Sequence, residues 1–369
     1  LATFPQAGRF LFSASSDYLV VSQKPGKMIM DSLKIKKTKK EKIPMDALVI
    51  YSLAGNREVI DSLRTFKLAE KMDWLAFQKG KKDSTLYVRP LNGKLSTRYE
   101  APAVKAFNFA EKSGMLYYIT AGDKAKEKPG LYLLNTETGV KTLIKEGDGV
   151  FKQVTFDEDG ANLAFLYCAQ KDSCYKGMSL WLSQQGAPAA EIAARGNQAF
   201  PKGWVISEHG KLQFSKSASR LFFGTSPEPR QKDTLQLAEN RPNVQVWSWD
   251  EPVQYTVQNY NKEKELKRSY QAVYHINSGR ICQLADEELS QILLGDEGDA
   301  PLALLSTSRP YSLSSMWEGR TRSDYYTVSL EDGSRKLLAS ADYGRYRLSP
   351  QGKYAYWYAE TDSCWYTLS

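Results

Sequence analysis

Adjacent carboxylates are the residues of this sequence best suited to bind a ligand. Glu287 and Glu288 form its only pair of neighbouring glutamates. Two carboxylates side by side can hold a cationic group such as the free amine of a peptide. A solvated acidic turn is the alternative interpretation, and it applies equally to the acids at 157–159 and 296–297. We name Glu287 and Glu288 as candidate substrate-binding residues and leave the alternative open.

The sequence carries no recognisable nucleophile. A serine-hydrolase elbow requires Gly-x-Ser-x-Gly at a sharp turn between a strand and a helix. The nearest matches, around Ser179 and Ser226, both lack the final glycine and lie within β-strand patterns. Of the two histidines, His275 lies in a strand pattern and His209 in a Glu-His-Gly turn, so each is expected to be structural. The sequence therefore assigns no catalytic residue and predicts no cofactor.

The cysteines and histidines do not predict a metal site. Zinc sites need a tight cluster of Cys and His ligands, and neither His209 nor His275 lies near such a cluster. Cys168 and Cys174 flank a short loop and are close enough in sequence to form a disulfide across a hairpin end. Free thiols packed as small apolar groups are the alternative. Cys282 and Cys364 are predicted to be free.

A repeated hairpin organises the chain that would position these residues. A short strand, a tight polar turn and an aromatic strand recur. The copies at Phe109, Phe156 and Phe214 start 47 and 58 residues apart, the size of one propeller blade with variable loops. Weaker copies start near Phe12 and at Leu293. The clear copies are Phe109–Ile119, Phe156–Leu166, Phe214–Gly224 and Leu348–Tyr358.

A second hairpin follows the first and completes a four-stranded antiparallel unit. It carries an Asn-Gly, Asp-Gly or Thr-Gly type of turn, which tolerates positive φ, as in 131–144 and 325–338. The sequence predicts an all-β fold, a β-propeller of seven blades, with eight left open and a large β-sandwich as the alternative. The blades are expected at 9–60, 72–99, 104–144, 150–193, 212–256, 271–339 and 344–369.

The composition of the chain disfavours two classes of partner, a spanned membrane and a nucleic acid. No apolar run is long enough to span a bilayer. The net charge of +8 owes much to six lysines within 34–42. Because this run contains no aromatic residue to stack on bases, a solvated loop is favoured over nucleic-acid binding. A second polar segment, 258–269, suits an exposed helical turn or a long connection.

Several phrases in the sequence resemble the N-terminal propeller of large bacterial serine peptidases of the prolyl oligopeptidase family, in its dipeptidyl-peptidase IV-like or acylaminoacyl-peptidase-like branch. The resemblance covers nearly the whole chain and is strongest from 150 to 358. The phrases are Pro201–Trp204, Arg220–Thr225, Val244–Asp250, Tyr270–His275, Leu284–Glu288, Leu294–Gly298 and Trp317–Arg322.

This resemblance implies a two-domain enzyme. A C-terminal α/β-hydrolase domain would carry the catalytic triad, and the propeller would gate access for short peptides. The implied location is periplasmic or secreted, although no signal peptide is visible. The dipeptidyl branch holds the substrate amine with a Glu-Glu pair, but the surroundings of Glu287 and Glu288 do not match that motif clearly, so the role is not transferred.

The predicted function is thus a substrate-gating and substrate-selecting domain of an exported serine peptidase, inert when isolated. The rival is a non-enzymatic periplasmic propeller that binds proteins or carbohydrates. A parent reading frame that continued into a Gly-x-Ser-x-Gly domain would separate the two. An autonomous propeller hydrolase or lyase is disfavoured by the scarcity of histidine.

The last blade is expected to be incomplete, with its second hairpin starting at Cys364. An apolar strand edge beside Trp357 and Trp365 would then be exposed. Such an edge favours association between chains, and a homo-oligomer stays open.

Overall fold

The computed structural model describes residues 2–39, 42–80, 84–92, 98–123, 127–170, 174, 177–229, 244–245 and 247–369. The predicted turn at 93–97 and residues 40 and 41 of the lysine run lie outside the described residues. The chain divides into two compact units. One comprises 1–149, 156–163 and 182–190, and the other 150–155, 164–181 and 191–369.

The fold class predicted from the sequence is confirmed: the chain is an all-β propeller built from antiparallel sheets. The number of blades stays a prediction. The first unit begins with a seven-stranded sheet whose strands pair in chain order. Its strands are β1 (Ala7–Phe12), β2 (Tyr18–Gln23), β3 (Asp46–Ser52), β4 (Arg57–Leu68), β5 (Trp74–Lys79), β6 (Leu86–Pro90) and β7 (Tyr99–Ala101).

Strand β4 serves both halves of this sheet. Its first part pairs with β3 as far as Leu63, and the part from Leu63 onward pairs with β5. The register shifts on both sides of Leu63, and Ser62 has a left-handed φ of 60°. Such bulges bend a strand and increase its twist. One continuous strand therefore closes the first four-stranded set and opens the next.

Two regular four-stranded sheets follow in the chain. Their orders are β11-β10-β9-β8 and β12-β13-β14-β15. The strands of the first are β8 (Val104–Phe109), β9 (Met115–Thr120), β10 (Gly130–Asn135) and β11 (Lys141–Glu146). Those of the second are β12 (Val150–Phe156), β13 (Asn162–Cys168), β14 (Ser179–Gln184) and β15 (Ala190–Ala193).

The remaining sheets belong to the second unit. The first has the order β16-β18-β19-β20, with β17 also paired to β18, the next has the order β21-β22-β23-β24, and the last has three strands. The strands are β16 (Trp204–Ile206), β17 (Gln213–Phe214), β18 (Arg220–Pro227), β19 (Tyr270–His275), β20 (Ile281–Gln283), β21 (Gln291–Leu294), β22 (Leu302–Thr307), β23 (Ser323–Ser329), β24 (Arg335–Asp342), β25 (Arg347–Leu348), β26 (Ala355–Ala359) and β27 (Cys364–Leu368).

The bounds of two predicted blades differ from these sheets. The sequence repeat suggested blades at 212–256 and 271–339, but β18 pairs along its length with β19, from Thr225–Tyr270 to Arg220–His275. The segment 228–269 is an insertion between neighbouring strands of one sheet. A repeat period cannot detect strand pairing across an insertion of this length. The sheets instead span 204–283 and 291–342.

The repeated turn of the first hairpin has one geometry. An oxygen of its first side chain accepts a hydrogen bond of 3.1 to 3.3 Å from the backbone N–H five residues later. The fourth residue of each turn has a left-handed φ between 55° and 74°. This geometry explains why Ser or Asp recurs after an aromatic or leucine residue. The four copies are Ser13–Tyr18, Asp157–Asn162, Ser215–Arg220 and Ser349–Tyr354.

The second hairpins also share a turn. In each of three copies, a glycine with left-handed φ donates its N–H to the carbonyl of the first turn residue at 2.8 or 2.9 Å. The copies begin at Asn135, His275 and Ser329. Both short turns of a sheet lie at the same end, because successive strands run in opposite directions.

The other end of each sheet carries the connection between its second and third strands. All α-helices of the described residues lie in such connections: α1 (Lys27–Ile35) follows β2, α2 (Tyr255–Leu266) follows β18, and α3 (Ser312–Glu318) follows β22. None of the three has a buried residue. Helix α1 includes only the first two residues of the lysine run at 34–42, and residues 36–39 follow it outside any helix or strand, as predicted for a loop. None of the described helices has the length and apolarity required to cross a membrane.

Apolar side chains of alternate strand positions fill the core. In the second unit, one cluster joins Phe222 of β18 and Val273 of β19 to Leu305 of β22 and Val328 of β23, all fully buried. Burying a side chain of this size contributes about 1.5–3 kcal/mol. The sheets at 204–283 and 291–342 are therefore held together by a shared apolar core.

Candidate functional site

A polar cavity of about 840 Å³ lies in the second unit, between α2 and the loops that follow β20 and β22. Residues 251–268, the loop after β20 and the segment after β22 form its walls. The cavity is lined by charged, amide and hydroxyl groups together with a few apolar ones. Its charged residues are Glu251, Lys262, Glu265, Arg268, Glu287 and Arg309.

Helix α2 contributes one wall without packing into the core. The segment is strongly polar, and exposed ion pairs stabilise its C-terminal turns, with Arg268 at 2.5 Å from Glu265 and Lys267 at 3.9 Å from Glu263. At its start the amide of Gln258 donates to the carbonyl of Val253 at 2.7 Å. The prediction of an exposed helical segment near 258–269 is confirmed.

The turn that carries Glu287 is fixed by its neighbour Asp286. One oxygen of this carboxylate accepts the N–H groups of Glu288 and Leu289 at 2.9 and 2.8 Å. The other accepts a hydrogen bond from Arg335 at 2.6 Å, and Arg335 also donates to the carbonyl of Leu284 at 2.8 Å. The turn after β20 is therefore held to β24, and Glu287 is presented at the cavity wall.

The pKa of Asp286 reflects this arrangement. Burial acts to raise it, but the hydrogen bond from Leu289 and the contact with Arg335 outweigh burial, so the pKa of Asp286 lies below its ordinary value. The carboxylate is therefore ionised at neutral pH, and the turn keeps its anchor there.

Two opposite charges face the cavity without pairing. Arg309 donates to the main-chain carbonyl of Glu287 at 3.5 Å rather than to its carboxylate. Over the described part of the chain, neither the Glu287 carboxylate nor the Arg309 guanidinium takes part in an ion pair. Both side chains are thus available to a ligand.

Tyr270 lies close enough to these charges for them to affect the pKa of its hydroxyl. Burial raises the pKa of its hydroxyl, Arg268 acts to lower it, and Glu287 and Glu265 raise it further. Its ring packs on Trp204 with the ring centres 4.9 Å apart. An aromatic residue of the core therefore lies close to the charged wall.

The structure separates the two predicted substrate-binding residues. Both residues are exposed, but only Glu287 lines the cavity. Arg309, Arg268 and Lys262 were missed by the sequence reasoning. For Arg268 and Lys262, the only signal in the sequence was the polar character of the segment at 258–269. Arg309 follows a strand in an ordinary turn, and nothing in the sequence singles it out.

The other sequence candidates lie in structural positions. His275 is buried, and its Nε2 lies 2.9 Å from the carbonyl of Leu330 on the neighbouring sheet. Ser179 donates to the carbonyl of Tyr167 at 3.0 Å and accepts the indole N–H of Trp181 at 2.8 Å. These contacts are those of structural residues. No group of potential metal ligands occurs in the described ranges.

The sulfur atoms of Cys168 and Cys174 lie within bonding distance across the connection between β13 and β14, with the Cα atoms 5.7 Å apart. Cys282 is buried and Cys364 is exposed. The disulfide in the protein as purified stays a prediction.

Comparison with known proteins gives no family assignment. No protein-family model matches the chain, and no curated protein matches it. Among solved structures, a eukaryotic initiation factor has 8% identity and a TM-score of 0.48, covering 96% of this chain and 72% of the other. A prolyl endopeptidase has 10% identity and a TM-score of 0.43, covering 96% of this chain and 54% of the other.

The tricorn protease has 11% identity and a TM-score of 0.41, with 98% of this chain covered and 33% of the other. The chain thus spans about half the length of the prolyl endopeptidase and a third of the tricorn protease. Likenesses of this size carry no inference about activity.

Proposed function

We propose that this chain is the substrate-gating and substrate-selecting propeller of an exported serine peptidase that cleaves short peptides. The catalytic residues would come from a C-terminal α/β-hydrolase domain. The observation that carries the proposal is the polar cavity with the unpaired charges of Glu287 and Arg309. The sequence phrases that resemble the prolyl oligopeptidase family support the same function.

A short peptide has the charge pattern that this cavity would complement. Its free amine is a cation that the Glu287 carboxylate can hold in a charge-assisted hydrogen bond. Its carbonyl groups or terminal carboxylate can accept hydrogen bonds from the planar guanidinium of Arg309. Each ligand group would find an opposite charge that needs no existing ion pair to be broken.

Selection follows from the cost of leaving such groups unpaired. A peptide with a blocked amine would bury the Glu287 carboxylate without a cation and lose about 1.5–3 kcal/mol of binding free energy, roughly tenfold to a hundredfold in affinity. The cavity would thus favour short peptides with free termini. Glu288, whose side chain lies outside the cavity, would have at most an electrostatic role.

The test is titration of the chain with trialanine and with N-acetyl-trialanine, followed by calorimetry. Glu287→Gln is the variant, and Glu263→Gln is its control on the exposed side of α2. We expect the acetylated peptide and Glu287→Gln each to weaken binding at least tenfold, roughly the value of one charged hydrogen bond, with no change for Glu263→Gln. Equal affinities for both peptides would refute the proposed selection.

The isolated chain is expected to be inactive towards dipeptidyl and acyl-peptide chromogenic substrates, because no nucleophile elbow is present in its sequence. Turnover that persisted through repeated purification and was blocked by a serine-directed inhibitor would contradict this expectation.

The rival function, a non-enzymatic binding platform, draws on a different observation. The indole rings of Trp249 and Trp317 are almost fully exposed, and exposed aromatic rings suit sugar or protein contacts. Binding of oligosaccharides that was lost on Trp249→Ala and Trp317→Ala, without any binding of trialanine, would favour this rival.

A further inference from the structure

Helix α1 is an exposed helix with exposed apolar side chains. It lies in the connection from β2 to β3 of the first unit and has no buried residue. Met28 is 88% exposed, Ile35 82% and Ile29 57%. Only Met30 and Leu33 are half-buried. Apolar side chains that are exposed together in a contiguous patch, rather than singly, mark interaction sites.

The two most exposed apolar residues, Met28 and Ile35, lie on one face. Met28, Ser32 and Ile35 follow the i, i+4, i+7 spacing of a helix, so the serine lies between the two apolar side chains on the same side. Met30 and Leu33 point away from this face. The helix therefore has an apolar stripe directed to the outside in addition to the half-buried side.

A dense positive charge accompanies this stripe. Lys27 begins the helix, Lys34 lies in its last turn, and further lysines follow it at 36, 37 and 39, all exposed. The only acid of the helix is Asp31, 4.0 Å from Lys34. In the described part of this connection, the other lysines form no ion pair. The charge is therefore not neutralised by the protein's own acids.

We infer that α1 and the lysines that follow it, residues 27–39, dock on an anionic lipid surface. An amphipathic helix lies in the interface with its apolar face towards the acyl chains, while basic residues contact the acidic headgroups. A nucleic acid would use the lysines but leave Met28 and Ile35 without a partner. The segment also has no aromatic ring to stack on bases.

The docking is expected to be reversible. The helix has only nine residues, so the apolar contact alone is weak, and stable attachment needs the second, electrostatic signal. Either signal removed alone should therefore release the protein. High salt should do the same, because it screens exposed charges.

The experiment is co-sedimentation of the full chain with vesicles of phosphatidylcholine, with and without about 30% phosphatidylglycerol. One variant carries Met28→Ser and Ile35→Ser, and another carries Lys36→Gln, Lys37→Gln and Lys39→Gln. The matched controls are on α2 and the residue that follows it: Tyr260→Ser with Leu266→Ser, and Lys262→Gln with Lys264→Gln and Lys267→Gln. Since both helices lack buried residues, circular dichroism should show all variants folded.

We expect at least tenfold stronger binding to the anionic vesicles, loss of this binding in both α1 variants and at about 0.5 M salt, and no effect of the α2 variants. No binding to anionic vesicles, or equal binding to neutral ones, would overturn the inference. So would binding that survives in either α1 variant. The chain could instead bind duplex DNA and not vesicles. If this binding required the lysines but not Met28 and Ile35, the segment would be assigned to nucleic-acid binding.

Discussion

Each sheet has short turns at one end and a longer connection at the other. At one end, short turns repeat the same hydrogen bonds, as in Ser13–Tyr18 and Ser215–Arg220, and leave little room for variation. At the other end, the connections between second and third strands carry α1, α2, α3 and the polar cavity. The short turns therefore determine the architecture of each sheet. The features able to bind ligands lie in the connections at its opposite end.

Glycine substitution should reveal this difference most strongly. Gly160 lies in a short turn with φ 74°, and an added Cβ would lie 2.4 Å from the Ser113 hydroxyl oxygen and 2.8 Å from the Ala110 Cβ. Gly319 follows α3 with φ 67°, and nothing lies within 4 Å of an added Cβ. The left-handed backbone costs alanine about 1 kcal/mol at both sites, and crowding adds about 1–3 kcal/mol at Gly160 only.

Urea denaturation of Gly160→Ala and Gly319→Ala measures the two losses of unfolding free energy. We expect about 2–4 kcal/mol for the first and about 1 kcal/mol for the second. Equal losses would mean that the short turns are no more constrained than the long connections.

Two arginines provide the next comparison. Arg220 donates to the carbonyls of Gly298, Asp299 and Ala300 at 2.9 to 3.0 Å, so Arg220→Ala should cost about 2–3 kcal/mol. Arg309→Ala should change stability by less than about 0.5 kcal/mol but weaken trialanine binding. Thermal unfolding and calorimetry together test both statements. A large stability loss in Arg309→Ala would contradict a role reserved for ligand binding.

The disulfide comes third. Cys168 and Cys174 close a short loop in the connection between β13 and β14. Reduction should therefore lower the free energy of unfolding by at most about 2 kcal/mol. Thiol titration of the denatured, unreduced protein is expected to detect two reactive groups, Cys282 and Cys364. Detection of four would rule the disulfide out.

The smallest effect concerns pH. Because the pKa of Asp286 is lowered in the folded protein, its contribution to stability is complete above the unfolded-state pKa of about 3.9 and is lost as the pH falls through the folded value. Asp286→Asn should therefore be less stable than the unaltered protein at pH 7, with the difference shrinking below about pH 4. A constant difference from pH 7 to 3 would exclude this cause.

The sequence predicted the short-turn end well, because its signals are local. A serine or aspartate five residues before its hydrogen-bond donor, or a glycine at a left-handed position, is visible within one short window, and these turns are present as expected. The pairing of β18 with β19 across 228–269 was not visible, since no local signal identifies distant partners. The predicted blade bounds at 212–256 and 271–339 differ for this reason.

The cavity likewise depends on residues that are distant in sequence, and no local signal shows that they meet. Glu287 was identified from its neighbour Glu288, yet Arg309, whose guanidinium lies 3.5 Å from the main-chain carbonyl of Glu287, is brought close only by folding. The lysine run at 34–42 was predicted to be a solvated loop because it contains no aromatic residue to stack on bases. The helical spacing of Met28 and Ile35 lies mostly before this run and did not enter that prediction.

The shared strand β4 has a consequence for how the first unit opens. In repeat proteins each unit interacts mainly with its neighbours and can open on its own. Here one backbone hydrogen-bonds to β3 in its first part and to β5 in its second, so separating either set requires the other to lose an edge. Amide hydrogens of β3 and β5 should exchange with one common opening free energy, as a single cooperative segment, whereas β9 and β10, which share no strand with them, should exchange independently.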